Sequence, residues 1–187
     1  VLDQLNGLLK QHGLFFPVDV STSSRATIGG MTANNSCGAR SIRYGKMVDN
    51  VSEVDAVLSD GSSMRFGNWD EESASAVPLA QKKLVGELID LGVRESEEVS
   101  KRFPRVQRRV GGYNLDVLSA EPGSSLNLAH LLVGSEGTLA VSDQITLSLQ
   151  HIPEHKLLGV CHFPTFYQAM ETTQHLVELE PDAVELV

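Results

Sequence analysis

The chain has 187 residues, a formal net charge of −9, two cysteines and 41% apolar residues. This length and composition fit one globular domain, or one domain with part of a second, and exclude disordered and fibrous chains. The negative charge argues against nucleic acid and acidic membrane surfaces as partners. Cys37 and Cys161 make no zinc, iron–sulfur or disulfide framework, so we expect no metal site and a reduced, intracellular compartment.

The first third of the chain predicts a helix, a loop and a hairpin. Leucines at helical spacing in residues 2–9 predict an amphipathic helix that ends before Gly13. The polar residues 17–27 predict a loop. Alternating apolar positions on both sides of an Asp-Gly pair predict a β-hairpin over residues 51–66.

The middle of the chain predicts a loop, two helices and a strand. Residues 68–75 are polar and predict a loop, and the leucines of residues 77–92 are spaced as in a helix. The charged residues 94–102 predict a second, solvated helix. Residues 139–149 alternate in polarity and predict a strand.

The end of the chain predicts a strand, a helix and a strand. These cover residues 157–163, 166–179 and 183–187, and Pro153 marks the junction before them. No apolar run is long enough to cross a bilayer. Because the chain starts at Val1 inside a predicted helix, we expect it to be an excised piece of a longer protein.

The most unusual segment is residues 21–45, which is dense in Gly, Ser, Thr and Asn. Gly29 and Gly30 let the backbone approach a bulky ligand, and the flanking hydroxyl and amide groups suit phosphate and carbonyl oxygens. These are also the ordinary residues of turns. The composition alone therefore leaves two interpretations open, a nucleotide cradle and a connection that turns corners.

A second glycine-containing cluster, residues 133–139, comes immediately before the predicted late strand. Its two glycines lie three positions apart, which suits either a backbone facing a ligand or a tight turn into the strand. Neither the dinucleotide motif GxGxxG nor the P-loop motif occurs in the chain. A bound nucleotide would therefore need a different fold.

Six motifs together carry a resemblance. The chain resembles FAD-linked oxidases and dehydrogenases of the vanillyl-alcohol oxidase superfamily, which share the PCMH-type FAD-binding domain. Within that superfamily it is most similar to bacterial FAD/FMN-containing dehydrogenases of the D-lactate dehydrogenase, glycolate oxidase D subunit and D-2-hydroxyglutarate dehydrogenase type. The motifs are Phe16-Pro17-Val18-Asp19, the Ser21-Thr22 loop, Thr27 to Gly38, Tyr44-Gly45 with the hairpin ending Leu58-Ser59-Asp60-Gly61, Gly112-Tyr113-Asn114-Leu115, and Gly134 to Leu139.

The resemblance implies an α+β fold with FAD held extended between two lobes and its ring facing a cap domain. Residues 1–150 would be the second, antiparallel lobe, and residues 151–187 the start of the cap. In the family, the glycine-rich pyrophosphate loop belongs to the first lobe, upstream of this chain. Relatives also keep a His-rich metal and substrate site in the rest of the cap, and some carry an iron–sulfur module.

The resemblance also implies which residues contact FAD. Pro17, Ser21 and Thr22 would lie along its flavin end, and Gly137 and Val141 near its adenine side. Differences from the family pattern at Ala140 and around Cys37 put individual contacts in question. We expect Cys37 to be a small buried thiol without a covalent flavin link. The pyrophosphate and ribityl region would be lined by Ile28, Gly29, Gly30, Thr32, Asn35, Cys37, Gly38, Tyr44 and Gly45.

The implied activity is oxidation of a D-2-hydroxy acid by hydride transfer to flavin, with a separate electron acceptor. The base and the carboxylate-binding arginine would belong to other segments, so no catalytic residue is assigned. The implied location is the cytoplasm, including the periphery of the inner membrane. Two alternatives stay open: a fragment that holds no cofactor and has no activity of its own, and a relative of UDP-N-acetylenolpyruvoylglucosamine reductase.

Charged residues outside the motifs predict surface roles. Five basic residues in positions 101–109 could attract an anionic acid or FAD phosphates, but a solvated face that balances the acidic residues of 94–98 is the favoured interpretation. His151, His155 and His162 match no metal-binding spacing and are interpreted as surface or packing residues.

Overall fold

The structure is a computed structural model that describes residues 1–119 and 126–187. The helices are α1 (Leu2–Leu9), α2 (Ile28–Ala33), α3 (Ser41–Tyr44), α4 (Met47–Asn50), α5 (Glu71–Ala76), α6 (Leu79–Arg102), α7 (Ala129–Leu132) and α8 (Phe166–Leu176). The strands are β1 (Leu14–Phe15), β2 (Val51–Val57), β3 (Ser63–Phe66), β4 (Asn68–Trp69), β5 (Leu126–Asn127), β6 (Val141–Leu147) and β7 (Gln150–His151). Short 3₁₀ turns cover Lys10–His12, Leu115–Ser119 and Val177–Leu179. The predicted α+β class is confirmed.

A three-stranded antiparallel sheet in the order β3-β2-β6 forms the centre of the fold. The β2–β3 pair is the hairpin predicted over residues 51–66, and β6 confirms the predicted late strand. Val54 lies opposite Phe66 on one side and Ile145 on the other, and it is fully buried. Its face of the sheet packs with buried residues of α7 and α6 in one apolar core, which fixes the position of the segments that follow α7.

Helix α6 is one continuous helix of 24 residues, so the prediction of two separate helices is wrong. Gly92 was expected to end the first of them. Instead it lies within α6, where a Cβ would come 2.2 Å from the carbonyl oxygen of Leu118, so the glycine lets the 115–119 turn pack closely. Ion pairs from Lys101 to Glu97 and from Arg102 to Glu98 support the last turns.

The segment 68–75, predicted as a loop, contains regular structure. Strand β4 pairs with β5, and α5 follows it directly. Asp70 is the N-cap of α5, because its carboxylate accepts a hydrogen bond from the backbone N–H of Ser73 at 2.8 Å. The polar residues interpreted as a loop thus form a short strand, a helix cap and the start of a short helix.

A short two-stranded sheet joins the segment after α1 to the segment after β6. Helix α1 ends as predicted, with Gly13 at a φ of +70°, and β1 then pairs with β7. Helix α8 confirms the predicted late helix and begins at the N-cap Thr165. Residues 157–163 and 183–187 are not strands, contrary to prediction. No strand in residues 1–119 or 126–187 pairs with them, and an isolated extended segment gains no ladder hydrogen bonds. No helix within the described ranges is both long and apolar enough to cross a bilayer.

Candidate functional site

The first glycine-rich segment folds into the short helix α2 with its glycines on the surface. Thr27 is the N-cap, since its hydroxyl oxygen accepts a hydrogen bond from the backbone N–H of Gly30 at 3.1 Å. Gly29 and Gly30 are exposed, and a Cβ on Gly29 would meet no atom within 4 Å. A large flat group could therefore lie directly on the backbone here.

Asn35 follows α2 and is completely buried in the left-handed region, at a φ of +52°. Its side-chain oxygen accepts a hydrogen bond from the backbone N–H of Val48 at 3.0 Å, which ties the segment to α4. Its side-chain nitrogen is the one buried side-chain polar atom in the described part of the chain that has no hydrogen-bond partner. A buried donor without a hydrogen-bond partner lowers the stability of the folded state. This unpaired amide therefore distinguishes Asn35 from the other buried side chains of the site.

The second glycine-containing segment packs directly against the first. The backbone N–H groups of Gly134 and Glu136 donate to the carbonyl oxygens of Thr32 and Ala33, both at 2.9 Å. A Cβ on Gly134 would lie 3.3 Å from the Cβ of Asn35. The two segments thus form a single surface, here called the glycine wall (residues 27–38 and 134–138).

The Gly112-Tyr113-Asn114 motif supports this wall from behind. The buried side chain of Asn114 donates to the carbonyl oxygens of Val133 at 2.9 Å and His130 at 3.1 Å. The Tyr113 hydroxyl lies 2.8 Å from that of Thr138. No role was predicted for Asn114 from the sequence, although an Asn in a Gly-rich turn commonly bonds to nearby backbone groups.

Gly38 joins the glycine wall to the Pro17-Val18-Asp19 segment. Pro17 is buried, and the carboxylate of Asp19 accepts a hydrogen bond from the backbone N–H of Arg40 at 3.1 Å. A Cβ on Gly38 would come 1.8 Å from the carbonyl oxygen of Asp19. Only glycine allows this contact between the two backbones.

Tyr44 and Gly45 lie at the end of α3. The ring of Tyr44 makes an edge contact with Phe15, with ring centroids 5.7 Å apart. Gly45 has a φ of +74°, and a Cβ there would come 2.6 Å from the carboxylate of Asp49. The Tyr44 carbonyl accepts a hydrogen bond from the Asn50 side chain at 2.7 Å, which holds the end of the helix.

The residues predicted to contact a cofactor differ in exposure. Pro17, Thr32 and Asn35 are buried, and the Thr32 hydroxyl donates to the carbonyl of Ile28 at 2.9 Å. The half-buried group comprises Ile28, Cys37, Gly38, Tyr44 and Gly45, and the exposed group comprises Ser21, Thr22, Gly29, Gly30, Gly137 and Val141.

Three predicted contact residues lie apart from the glycine wall. Ser21 and Thr22 lie in a turn whose backbone bonds to the start of α1, and Val141 lies opposite Val57 in the central sheet. No hydrogen bond among the described residues connects these three to the glycine wall. The contacts assigned to them remain predictions.

His130 lies on α7, just before the second glycine-containing segment, and burial affects its ionisation. Burial lowers the pKa of His130, and a backbone hydrogen bond to Val51 and the charge of Asp49 partly oppose that shift. No group of three or more His, Cys, Asp or Glu residues among those described could hold a metal ion. His151, His155 and His162 are exposed.

A large open cavity of about 1390 Å³ lies beside α3. Its lining includes Phe15, Arg40 and Tyr44 together with many residues of the tail from Ile152 to Val187. Arg43 joins α3 to this tail through an ion pair with Asp182 at 2.9 Å. The ring of Tyr44 thus lies between the glycine-rich half of the chain and its tail.

Comparisons with known proteins agree with this geometry. Residues 1–67 match the family described as FAD binding domain. The chain is 34% identical over its whole length to D-2-hydroxyglutarate dehydrogenase from Pseudomonas putida, covering 19% of that protein. It is 32% identical over 90% of its length to the mitochondrial cytochrome-type D-lactate dehydrogenase from Arabidopsis thaliana, covering 21% of that protein. The chain thus spans about a fifth of these relatives.

The chain also aligns with a solved structure of alkyldihydroxyacetonephosphate synthase, at a TM-score of 0.58 and 18% identity. The alignment covers 98% of this chain and 24% of the synthase chain. At this identity the likeness shows the fold alone. Residues 1–67 thus match a family of FAD-binding domains, and the chain shares its fold with this solved structure. The predicted resemblance to FAD-linked oxidases and dehydrogenases is confirmed by the family match and by these relatives.

Proposed function

We propose that this chain is part of an FAD-dependent dehydrogenase that oxidises a D-2-hydroxy acid of the lactate, glycolate or 2-hydroxyglutarate type. Its similarity to relatives named D-2-hydroxyglutarate and D-lactate dehydrogenase supports this proposal. A small-molecule acid and an electron acceptor are then the partners of the whole protein. The cytoplasmic location, including the inner-membrane periphery, stays a prediction from the resemblance.

The observation that carries the proposal is the bond between the two glycine-rich segments. Because Gly134 donates to Thr32, the exposed backbone of Gly29 and Gly30 belongs to the same wall as exposed Gly137. A cofactor that spans this wall needs bare peptide groups on its path, since side chains would hold it away. The residues present therefore fit an extended nucleotide such as FAD.

The residues of the wall divide into two proposed roles. The exposed glycines at 29, 30 and 137 would contact the cofactor through their backbone, whereas Thr32 and Asn35 would fix the shape of the wall, since both side chains are buried. The other predicted contacts remain proposals: Ile28, Cys37 and Gly38 belong to the wall, and Pro17, Ser21, Thr22, Tyr44, Gly45 and Val141 lie outside it.

Bound FAD would supply the chemistry, because flavin accepts a hydride from the carbon that carries the hydroxyl group. This chain's residues would bind and orient the cofactor. None of them is assigned as the base that removes the hydroxyl proton. We also propose that a domain boundary lies near residue 150, supported by the end of β7 at His151 and by the exposed residues 154–162 beyond it.

The test uses the full-length protein that contains this chain. We expect a yellow protein with flavin absorbance at about 450 nm, a property of the cofactor itself. Under anaerobic conditions, D-2-hydroxy acids should bleach that band and their L-enantiomers should not. A protein that stays colourless after incubation with FAD would overturn the proposal.

The chain taken alone supports a second candidate, a domain fragment that holds no cofactor. The wall presents its glycines openly to solvent, so FAD would be covered on one side only. Titration of the isolated chain with FAD distinguishes the two candidates. A rise in Tm with added FAD favours binding, and an unchanged Tm favours the inactive fragment.

A further inference from the structure

Arg108 and its neighbour Gln107 lie against the turn that follows Cys37. The Arg108 guanidinium donates from Nη2 to the carbonyl oxygen of Gly38 at 2.9 Å. The neighbouring Gln107 side chain donates from Nε2 to the carbonyl oxygen of Ser41 at 3.4 Å. Lys46 donates in turn from Nζ to the Gln107 carbonyl at 3.2 Å. Arg108 is exposed, as a solvated face predicts, but its guanidinium also bonds to this turn.

The other basic side chains of positions 101–109 make no hydrogen bond or ion pair to the glycine wall within the described residues. Lys101 and Arg102 pair with glutamates of their own helix, α6. Arg109 pairs with Asp116 at 2.6 Å. Arg105 is exposed and has no hydrogen bond or ion pair with any described residue. Arg108 is thus the member of the cluster that contacts the glycine wall.

The turn over residues 38–41 is held from inside and outside. Inside it, the Gly38 carbonyl accepts from the Ser41 N–H at 3.1 Å, and the Gly38 N–H donates to the Ser41 hydroxyl at 3.0 Å. Arg108 and Gln107 then bind the carbonyls at its two ends from outside. Because α3 starts at Ser41, this clamp also sets where α3 carries Tyr44.

We propose that Arg108 is a positioning residue for the bound cofactor, acting with Gln107 to clamp the 38–41 turn. The inference rests on the proposed function, because it assumes that Gly38 and Tyr44 border the flavin nucleotide. A hydrogen bond from a charged guanidinium is stronger than one from a neutral donor, so Arg108 is the main half of the clamp. Its side chain touches the wall and need not touch the cofactor.

The test measures FAD binding to the full-length protein after the flavin has been removed. Arg108→Ala should raise the Kd for FAD about tenfold, corresponding to one lost charge-assisted hydrogen bond. Arg108→Lys keeps a charged donor and should recover most of that loss. The matched control is Arg105→Ala, which removes the same charge from the same segment and should change the Kd by less than about twofold.

A second readout separates positioning from general stability. The visible circular dichroism of bound flavin reports its asymmetric surroundings, so it should change in Arg108→Ala and stay unchanged in Arg105→Ala. Equal effects of the two variants on the Kd, or no effect of Arg108→Ala, would overturn the inference. If Arg108→Ala does not fold, Gln107→Ala replaces it and must also raise the Kd. A wild-type protein that binds no FAD would instead refute the proposed function.

Discussion

The backbone N–H of Gly134 donates to the carbonyl oxygen of Thr32 at 2.9 Å, across a separation of about a hundred residues along the chain. This bond and its neighbour from Glu136 to Ala33 make one wall out of two segments that are each ambiguous in sequence. The wall depends on a glycine at 134, because its φ is +85° and a Cβ would press on Asn35.

Gly134→Ala should therefore lower the free energy of unfolding by about 2 kcal/mol, from backbone strain and crowding together. Gly137→Ala is the matched control. Gly137 also has a positive φ, of +73°, but a Cβ there would meet no atom within 4 Å. Gly137→Ala should therefore lower the free energy of unfolding by only about 1 kcal/mol. Urea denaturation measures both values, and equal costs would mean that the contact with Asn35 is unimportant.

Gly38 and Gly29 should respond in opposite ways to alanine. Gly38→Ala should cost about 3 kcal/mol, because the new methyl group would overlap the carbonyl of Asp19. Gly29→Ala should leave stability unchanged or raise it by about 0.5–1 kcal/mol, since Gly29 is in a helix with open space around it. Only Gly29→Ala should weaken FAD binding while the protein keeps its Tm. Intact FAD binding in that variant would exclude Gly29 from the cofactor surface.

Asn35→Ala should lower the free energy of unfolding by about 2 kcal/mol. The substitution leaves the partly buried backbone N–H of Val48 without its acceptor, and the new residue must keep a φ of +52°. Asn34→Ala provides the control, because Asn34 is exposed and its side chain makes one hydrogen bond with the described residues, accepted from the nearby Ser36 hydroxyl. Denaturation curves that coincide for the two variants would contradict the role assigned to Asn35.

His130 should make the fold sensitive to mild acid. Its pKa is lowered in the folded state, chiefly by burial, so below the unfolded value of about 6.5 the unfolded chain binds more protons than the folded chain. The free energy of unfolding should thus decrease as the pH falls from about 7 to about 5. His130→Gln should reduce this decrease, and exposed His175→Gln should not. Identical pH profiles for wild type and His130→Gln would show that His130 is not responsible.

The predicted domain boundary near residue 150 can be tested by truncation after Pro153. Ala169 is the one buried residue in 154–187. The shortened chain should therefore keep a single cooperative transition, with a Tm within about 5 °C of the original. Loss of cooperative unfolding would show that the tail belongs to the same folding unit as the sheet.

Sequence patterns predicted the elements whose signals are local. The hairpin of β2 and β3 and the helix α8 follow directly from apolar spacing and turn residues. Residues 157–163 were predicted wrongly because a strand is defined by a partner, which no local pattern reveals. The break between two helices predicted at Gly92 is wrong, because this glycine allows a close tertiary contact with Leu118 inside one helix.

The candidate site was likewise predicted where its signals are local and missed where they join distant residues. Glycine density and motif order pointed to the wall, and the family likeness supports that assignment. The contacts of Gly134 with Thr32 and of Arg108 with Gly38 join distant parts of the chain, so no spacing rule could supply them. The buried role of Asn114 was hidden for the same reason, since its partners lie 16 and 19 residues away.

Hydrogen exchange of the full-length protein with and without FAD tests the central claim most directly. If the two glycine-rich segments form one cofactor wall, FAD should slow exchange in residues 28–38 and in residues 134–138 together. The hairpin tip at residues 59–62 lies outside the wall and should not change. Protection of one segment without the other, or of neither, would contradict the account.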